Sequence, residues 1–420
     1  GKFMRRNKLV VAFAASIVVF AIVMTVQSVR TARQRDVAVL ERARAEEISE
    51  FLVDLFQVPD PLTPDSGDKE VTAREILDRG ARRVERELVD QPQVQAKLMS
   101  TIGETFWGLG HFDAAQEWLE KALRIQERLF DGDHVDLADS LNALAVVLRS
   151  KGERELARAM FDRVLTMRKR LLGSDHIDVA ETMFNLGQSN LTQGEYDAAE
   201  EVFRQLLPII RRLLGEGHHF VTLTMNDLAL ALHFKGDLEA SESLYLQALA
   251  RYRRLDKPHT EEAKTLGNYG ALLQSKGDYE GAEQRYHEAL GLFARRFGDD
   301  RYPPAGVVSS KLASLLVETG DYRGAEARSE EALDILRHRL PPSHPRVARA
   351  QSHLGAAYSG LGRFAEAEPL LLDSYRILSE ESERSPHTRI VLSYLVDLYK
   401  AWKKSEEAAR YLALLESIRG

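Results

Sequence analysis

Apolar and small residues recur at helical spacing along most of this chain, in pairs of segments separated by a short turn. The segment VAETMFNLGQSNLTQ, residues 179–193, has this spacing, and AAEEVFRQLLPIIRRLL, residues 198–214, has it again. Each segment places its apolar side chains on one face of a helix. Because a glycine, Gly194, opens the turn between them, the pattern predicts two helices joined as a hairpin.

The turn returns in register along the chain. It reads GEYDAA at Gly194 and GDYEGA at Gly277, and the seven glycine-led copies are spaced by 42, 42, 42, 41, 43 and 42 residues. An eighth, degenerate copy, KKSEEA, begins at Lys403. A hairpin cannot bury both of its faces alone, so neighbouring hairpins must stack. The sequence therefore predicts an all-α fold, an α-solenoid of about eight hairpins over residues 92–420.

At two positions of each turn, the type of residue has a physical explanation. The glycine supplies the left-handed backbone conformation that ends the first helix. The residue five positions later is small, which lets the second helix approach closely, and serine replaces alanine there only once. In chain order these residues are Ala115, Ala157, Ala199, Ser241, Ala282, Ala325, Ala367 and Ala408.

The hairpins resemble the tetratricopeptide repeat. That family has a leucine and a small residue in the first helix, then a glycine turn followed by an aromatic, a small and a second aromatic residue. The longer period is similar to the variant found in kinesin light chains and in many bacterial signalling proteins. The resemblance implies a right-handed superhelix that binds proteins. The family pattern ends with an alanine-leucine pair in the second helix. One copy meets the earlier positions with Leu186, Gly187, Gly194, Tyr196, Ala199 and Phe203. Later copies supply the pair as Ala248 and Leu249 and as Ala289 and Leu290.

The N-terminal region has a different pattern. A basic flank, residues 1–8, precedes an uncharged apolar run from Leu9 to Val29, which is long enough to cross about 30 Å of hydrocarbon. We expect a transmembrane helix there. A secretory signal peptide is the alternative, but the run is long for one and an arginine-rich segment follows it instead of a cleavage site. Lysine and arginine flank both sides, so the positive-inside rule gives no orientation.

The next segments connect this run to the repeats. Residues 30–58 have an amphipathic helical pattern, either a helix that docks on its own protein or a dimerising stalk whose seam Arg44 interrupts. Residues 59–70, with three prolines, are read as a linker, and 71–91 as a capping helix.

The order of these segments is similar to a narrower group of proteins. ISEFLVDLFQVPDP, from Ile48, and TAREILDRGARRVERELVDQPQVQAKLMSTIGE, from Thr72, resemble the region after the catalytic domain of bacterial membrane-anchored serine/threonine protein kinases. The resemblance implies a kinase domain before Gly1, a bacterial cytoplasmic membrane, and repeats on its far side.

Composition narrows the chemistry. The chain has no cysteine, which excludes disulfides, thiolate zinc sites and cysteine nucleophiles. Residues 1–44 carry a net charge of +7 and the other 376 residues carry −14, so nucleic acid is a poor partner. Kinase, Walker, metalloprotease and serine-hydrolase motifs are all absent from the sequence. We therefore expect no enzyme activity and no cofactor in this chain.

Histidine recurs at one position of the repeat, just before the first helix, and Pro92 and Tyr302 take that position in two copies. A metal site would need several ligands around 2 Å from one ion, whereas stacked hairpins hold equivalent residues roughly 10 Å apart. We expect a structural role in which the side chain closes the linker and helps to start the helix, and we predict no metal site. The residues are His134, His176, His218, His259, His344 and His387.

Partner binding is the function that the first helices favour. In tetratricopeptide arrays these helices line the concave surface, and polar residues there bind an extended peptide or a partner helix. Asparagine both donates and accepts hydrogen bonds, which suits a peptide backbone. Solvation of the helices, or bonding to a neighbouring repeat, is the alternative, and self-association is a further possibility. The candidates are Asn142, Asn185, Asn226, Asp227, Asn268, Lys311 and His353.

Overall fold

The computed structural model describes residues 73–254, 260–297, 302–381 and 385–418. The predicted transmembrane helix (9–29), the juxtamembrane helix (30–58) and the linker (59–70) lie outside these residues. Among the helices that are described, none combines the length and the apolar character needed to cross a bilayer.

The described residues form seventeen α-helices and no strand, so the all-α prediction is confirmed. The helices are α1 (Ala73–Glu87), α2 (Pro92–Gly108), α3 (Phe112–Leu129), α4 (Val135–Lys151), α5 (Arg154–Leu172), α6 (Ile177–Gln193), α7 (Tyr196–Leu214), α8 (His219–Lys235), α9 (Leu238–Tyr252), α10 (Thr260–Ser275), α11 (Tyr279–Phe297), α12 (Pro303–Thr319), α13 (Tyr322–Arg337), α14 (Pro345–Gly360), α15 (Phe364–Glu381), α16 (Pro386–Ala401) and α17 (Ser405–Ser417).

The chain divides into two compact units, residues 1–102 and 103–420. The described part of the first unit contains α1 and the N-terminal part of α2. Gln95 of α2 donates from Nε2 to the carbonyl oxygens of Val84 and Glu85 at 3.2 and 3.0 Å. Those carbonyls belong to the last turn of α1, where helical partners run out, although the carbonyl of Val84 also accepts the N–H of Leu88 at 3.4 Å.

The second unit is a series of helical hairpins, as the turn spacing predicts. Gly194 has a φ of 82° and ends α6, and its N–H bonds to the carbonyl of Leu191. The degenerate copy keeps this geometry without glycine, because Lys403 has a φ of 63°. The position in the repeat therefore determines the backbone conformation of the turn residue, even where the residue type does not favour it.

Close packing inside each hairpin explains the small residues. A Cβ added to Gly187 of α6 would lie 2.6 Å from Cε1 of Phe203 on α7. Phe203 and Ala199 are both fully buried. The leucine-glycine pair of the first helix is thus matched to an aromatic ring of the second helix.

Consecutive helices from α3 to α17 pack against each other, and the first helices of neighbouring hairpins also contact one another, from α4 through α6, α8, α10, α12 and α14 to α16. Among the described residues, second helices of neighbouring hairpins make no comparable contact. The first helices therefore approach each other more closely than the second helices do. Their shared surface, on α4 to α16, is here called the first-helix face.

Candidate binding face on the first helices

Histidines begin several first helices by capping them. His134, His176, His218 and His344 precede α4, α6, α8 and α14, and each Nδ1 accepts the backbone N–H two residues later at 3.1 to 3.2 Å. This bond satisfies one of the free N–H groups at the start of a helix. The predicted role in starting the helix is confirmed for these four, and His259 lies outside the described residues.

Two of the predicted linker positions differ. Tyr302 precedes α12 but makes no capping bond, and its ring stacks on Phe297 with centroids 4.2 Å apart. His387 does not precede α16, because it is the second residue of that helix. Ser385 caps α16 instead, with Oγ accepting the N–H of Thr388 at 3.1 Å. The prediction for His387 was therefore wrong in register by two residues.

All seven candidate residues lie on first helices, and none of them is exposed. Asn142, Asn226 and His353 are buried, with 7 to 8% of their surface accessible, and the other four are half-buried. The structure joins most of them across repeat boundaries. Asn185 donates to Oδ1 of Asn142 at 3.5 Å.

The longest connected series lies in the middle of the face. Lys311 donates from Nζ to Oδ1 of Asn268 at 2.8 Å, and Asn268 donates from Nδ2 to Oδ1 of Asn226 at 3.3 Å. Asn226 in turn donates to Asp227 at 2.9 Å. Gln188 of α6 reaches Asp227 from the other side at 3.1 Å. These five side chains, here called the polar ladder, connect α6, α8, α10 and α12.

Burial changes the acid-base behaviour of the ladder. It raises the pKa of Asp227 to about 6, although the hydrogen bonds from Gln188 and Asn226 act in the opposite direction. Burial also lowers the pKa of Arg149 to about 10, and the charge of Asp227 opposes that shift. Arg149 donates from Nη1 to the carbonyl oxygen of Asn185 at 3.1 Å.

The two ends of the face differ in charge. Near α4 and α6, the buried Arg168 lies 2.7 Å from Asp139 and 3.7 Å from Glu181. Burial raises the pKa of Glu181, against the charge of Arg168, and the neighbouring carboxylates Asp178 and Asp139 raise it further. Acidic groups therefore outnumber cations at this end, and Arg168 already forms ion pairs with two of them.

Cationic and histidine side chains dominate the other end, on α12, α14 and α16. Burial lowers the pKa of Lys311 to about 8, and the charges of Arg349 and Arg346 lower it further. His353 hydrogen-bonds through Nδ1 to Oγ of Ser310 at 3.0 Å. Burial, with the charge of Arg349, lowers the pKa of His353 to about 4, so the ring is neutral at neutral pH.

Sequence reasoning missed part of this arrangement. Arg149, Gln188, Arg346 and Arg349 were not predicted, although a signal was present. Arg349 and Arg346 precede His353 by four and seven residues, a spacing that puts all three on one side of a helix. A search of each first helix at these offsets from the candidates would have found the two arginines.

The chemistry of the face is that of recognition. It offers amide donors and acceptors, one acidic and one basic end, and buried hydrogen bonds that fix the side chains in place. Within the described ranges, no group of three histidine or carboxylate side chains converges as metal ligands would. The side chains of the face can donate hydrogen bonds to a polar chain and accept them from it.

Solved structures resemble the fold. A Rap protein in complex with Competence and Sporulation Factor matches with a TM-score of 0.66 and 14% identity, over 92% of this chain and 98% of that chain. The apo form of the quorum sensor NprR from B. thuringiensis matches with a TM-score of 0.58 and 13% identity, over 91% and 100%. At this identity the likeness shows the fold alone.

A third structure matches about half of this chain. It contains the nearly identical TPR-like repeats of a Podosopora anserina protein described as a kinesin light chain, and it matches with a TM-score of 0.43 and 18% identity, over 50% of this chain and all of that chain. No curated protein matches the sequence.

The family is shown by the sequence itself. The model of the tetratricopeptide repeat matches residues 94–170, 136–211, 193–254, 261–338 and 346–418, which together cover well over half of the chain. Those segments span the helical hairpins and the first-helix face described above. The chain belongs to the tetratricopeptide repeat family.

Proposed function

We propose that this chain is a membrane-anchored protein-protein interaction scaffold, which binds an extended segment of a protein or peptide partner on the first-helix face. The polar ladder is the observation that carries the proposal. Its amide and charged side chains are half-buried or buried, already oriented by hydrogen bonds, and aligned across four consecutive hairpins. Because these donors and acceptors are already held in place, the side chains of the face need little further ordering when an extended chain binds.

The fold neighbours support this reading. The Rap protein was solved with Competence and Sporulation Factor bound, and its fold matches most of this chain. The same fold can therefore support a scaffold function in this chain. Which partner it binds depends on the side chains of the first-helix face and not on the fold.

A triple variant tests the proposal. Asn185→Ala, Asn226→Ala and Asn268→Ala together should abolish partner capture by the immobilised chain, while circular dichroism shows unchanged helicity. The matched control removes three amide side chains from second helices, Gln116→Ala, Gln205→Ala and Gln247→Ala, and should capture as the wild type does. Capture by the triple variant at the wild-type level would rule this face out.

Membrane anchoring is the second part of the proposal. It rests on the uncharged run from Leu9 to Val29, which has the length and composition of a single membrane span. We propose a bacterial cytoplasmic membrane with the repeats on its outer side. The test is a reporter that is active only outside the cytoplasm, fused after Gly420, and the proposal expects it to be active. If it is inactive and a reporter that works only in the cytoplasm is active at the same place, the repeats lie on the cytoplasmic side instead.

A narrower proposal concerns the parent protein. The sequence from Ile48 to Glu104 is similar to the region after the catalytic domain in bacterial transmembrane serine/threonine kinases. On this alternative the chain is the sensory and regulatory half of such a kinase. The DNA immediately upstream of the codon for Gly1 is decisive, because a stop codon or an unrelated reading frame there would remove the idea.

A further inference from the structure

The hydrogen bonds of the polar ladder between α12 and α8 all run in one direction. Lys311 donates from Nζ to Oδ1 of Asn268, and Asn268 donates from Nδ2 to Oδ1 of Asn226. Asn226 then donates from Nδ2 to Oδ1 of Asp227. This part of the ladder therefore connects a cation on α12 to a carboxylate on α8 through two amide groups.

The charged ends fix the direction of these bonds. An ammonium group only donates hydrogen bonds, and a carboxylate only accepts them. Lys311 therefore requires the oxygen of Asn268, which leaves the amide nitrogen of Asn268 to donate to Asn226. By the same step, Asn226 has to turn its nitrogen toward Asp227. Neither asparagine can reverse without placing two donors against each other, which costs about as much as a lost hydrogen bond.

Asp227 is the end of the ladder that changes its charge near neutral pH. Its other oxygen, Oδ2, accepts from Nε2 of Gln188 on α6 at 3.1 Å. Both of its hydrogen-bond donors are thus neutral amides, and no cation among the described residues lies within ion-pair distance of the carboxylate. Burial raises the pKa of Asp227 to about 6, so this side chain binds a proton in mildly acidic solution.

Other charged and titratable groups lie around the two ends of the ladder. The charge of Glu261 on α10 raises the pKa of Asp227 further, and the charge of Lys264 lowers it. These two side chains pair with each other at 2.7 Å, so their effects on Asp227 oppose one another. The charge of Asp227 also acts on Arg149 of α4 and on Tyr245 and Tyr252 of α9. Electrostatic interactions connect Lys311 with Arg346 and Arg349 of α14, His233 of α8 and His387 of α16.

We propose that Asp227 operates a pH-sensitive switch in the polar ladder, in which proton binding turns the amide of Gln188 while Lys311 holds the two asparagines in place. The proton goes to Oδ2, because Oδ1 already accepts the N–H of Asn226. The new O–H group needs an acceptor, and Gln188 supplies one by turning its Oε1 toward the acid. The amino group of Gln188 then points away from Asp227, which changes the hydrogen-bonding groups that α6 presents on the first-helix face. The switch belongs to the ladder itself and does not require the proposed partner.

Infrared difference spectroscopy of the 420-residue chain tests the switch. As the pH is lowered, the C=O stretch of a protonated carboxyl group should appear with a midpoint of about 6. The variant Asp227→Asn lacks this group, so the band that it loses identifies Asp227. The side-chain amide band of Gln188, assigned with carbon-13-labelled glutamine and the variant Gln188→Met, should shift with the same midpoint.

Two variants test whether the ladder controls the proton on Asp227. Lys311→Met removes the cation, and Asn268→Leu keeps the cation but breaks the hydrogen-bond chain. In both variants Asn226 is free to turn its oxygen toward the protonated acid. Each should therefore raise the midpoint of the Asp227 band by at least about half a pH unit, a gain of about threefold in proton affinity. Circular dichroism checks that each variant keeps its helicity.

Asn142→Leu is the matched control. It removes an asparagine of α4 that bonds to Asn185 and is not part of the ladder, so the midpoint should stay at the wild-type value. The proposal is overturned if the Asp227 band does not titrate between pH 5 and pH 7, or if the Gln188 band does not shift with it. It is also overturned if Asn268→Leu titrates as the wild type does, which would show that charge alone acts on Asp227, or if Asn142→Leu shifts the midpoint as far as Asn268→Leu. These results leave the scaffold function standing, because partner capture tests it separately.

Discussion

Lys311 and Asn268 are joined by a hydrogen bond of 2.8 Å between Nζ and Oδ1, across the boundary between two hairpins. The bond links α12 to α10 and ends the polar ladder at its basic end. It holds a lysine whose pKa burial and the arginines Arg349 and Arg346 together lower to about 8. A charge in this position disfavours the folded state, which suggests that it is retained for binding.

Replacement of Lys311 by methionine should therefore stabilise the protein. We expect a gain on the order of 2 kcal/mol in the free energy of unfolding at pH 7, because the buried charge and its repulsion are removed. The folded-state pKa lies below the unfolded value of 10.5, so the penalty is fully present below pH 8 and disappears as the pH rises toward 10.5. Urea unfolding at pH 7 and pH 10 should show the gain shrinking, and a loss of stability at pH 7 would contradict this account.

His176 tests the capping role of the linker histidines. His176→Ala removes the bond from Nδ1 to the N–H of Asp178, and we expect a loss of about 1 kcal/mol in stability, the usual value of a helix cap. His176→Asn should retain most of the stability, because asparagine is itself a good cap. Thermal unfolding of both variants makes the comparison, and equal losses would show that the ring acts through packing instead.

Gly187 tests the close approach of the two helices in a hairpin. Gly187→Ala would place a Cβ 2.6 Å from the Phe203 ring, and we expect a loss of about 1 to 3 kcal/mol. The control is Gly291→Ala in the middle of α11, where the nearest atom is Nη1 of Arg295 at 3.6 Å. That change should add up to about 1 kcal/mol, since alanine favours the helix over glycine. Urea unfolding should therefore shift the two variants in opposite directions.

The sequence predicted the repeat fold well because its signals are local. The choice of glycine at Gly194 depends only on the left-handed backbone conformation of that residue. The choice of alanine five residues later depends only on the close approach of the helix next to it in the same hairpin. The contacts of the face depend instead on pairs of residues about 42 positions apart. These pairs do not follow the turn spacing strictly: the turn glycines Gly152 and Gly194 are 42 residues apart, but Asn142 lies ten residues before its glycine and Asn185 lies nine before its own. His387 was misplaced because Ser385, 41 residues after His344, takes the capping position.

Lys403 tests whether the turn register or the residue type governs the last hairpin. A lysine at a φ of 63° is strained by its Cβ, at a cost of roughly 1 to 2 kcal/mol that glycine does not have. Lys403→Gly should therefore raise the melting temperature. The neighbouring Lys404 is the control, because its Nζ lies 3.5 Å from the centroid of the Trp402 ring and 3.2 Å from Glu368. Lys404→Gly should lower the melting temperature, since it removes both contacts and adds chain entropy to the unfolded state. If Lys403→Gly destabilises the protein instead, the side chain of Lys403 must contribute more than the strain that it imposes.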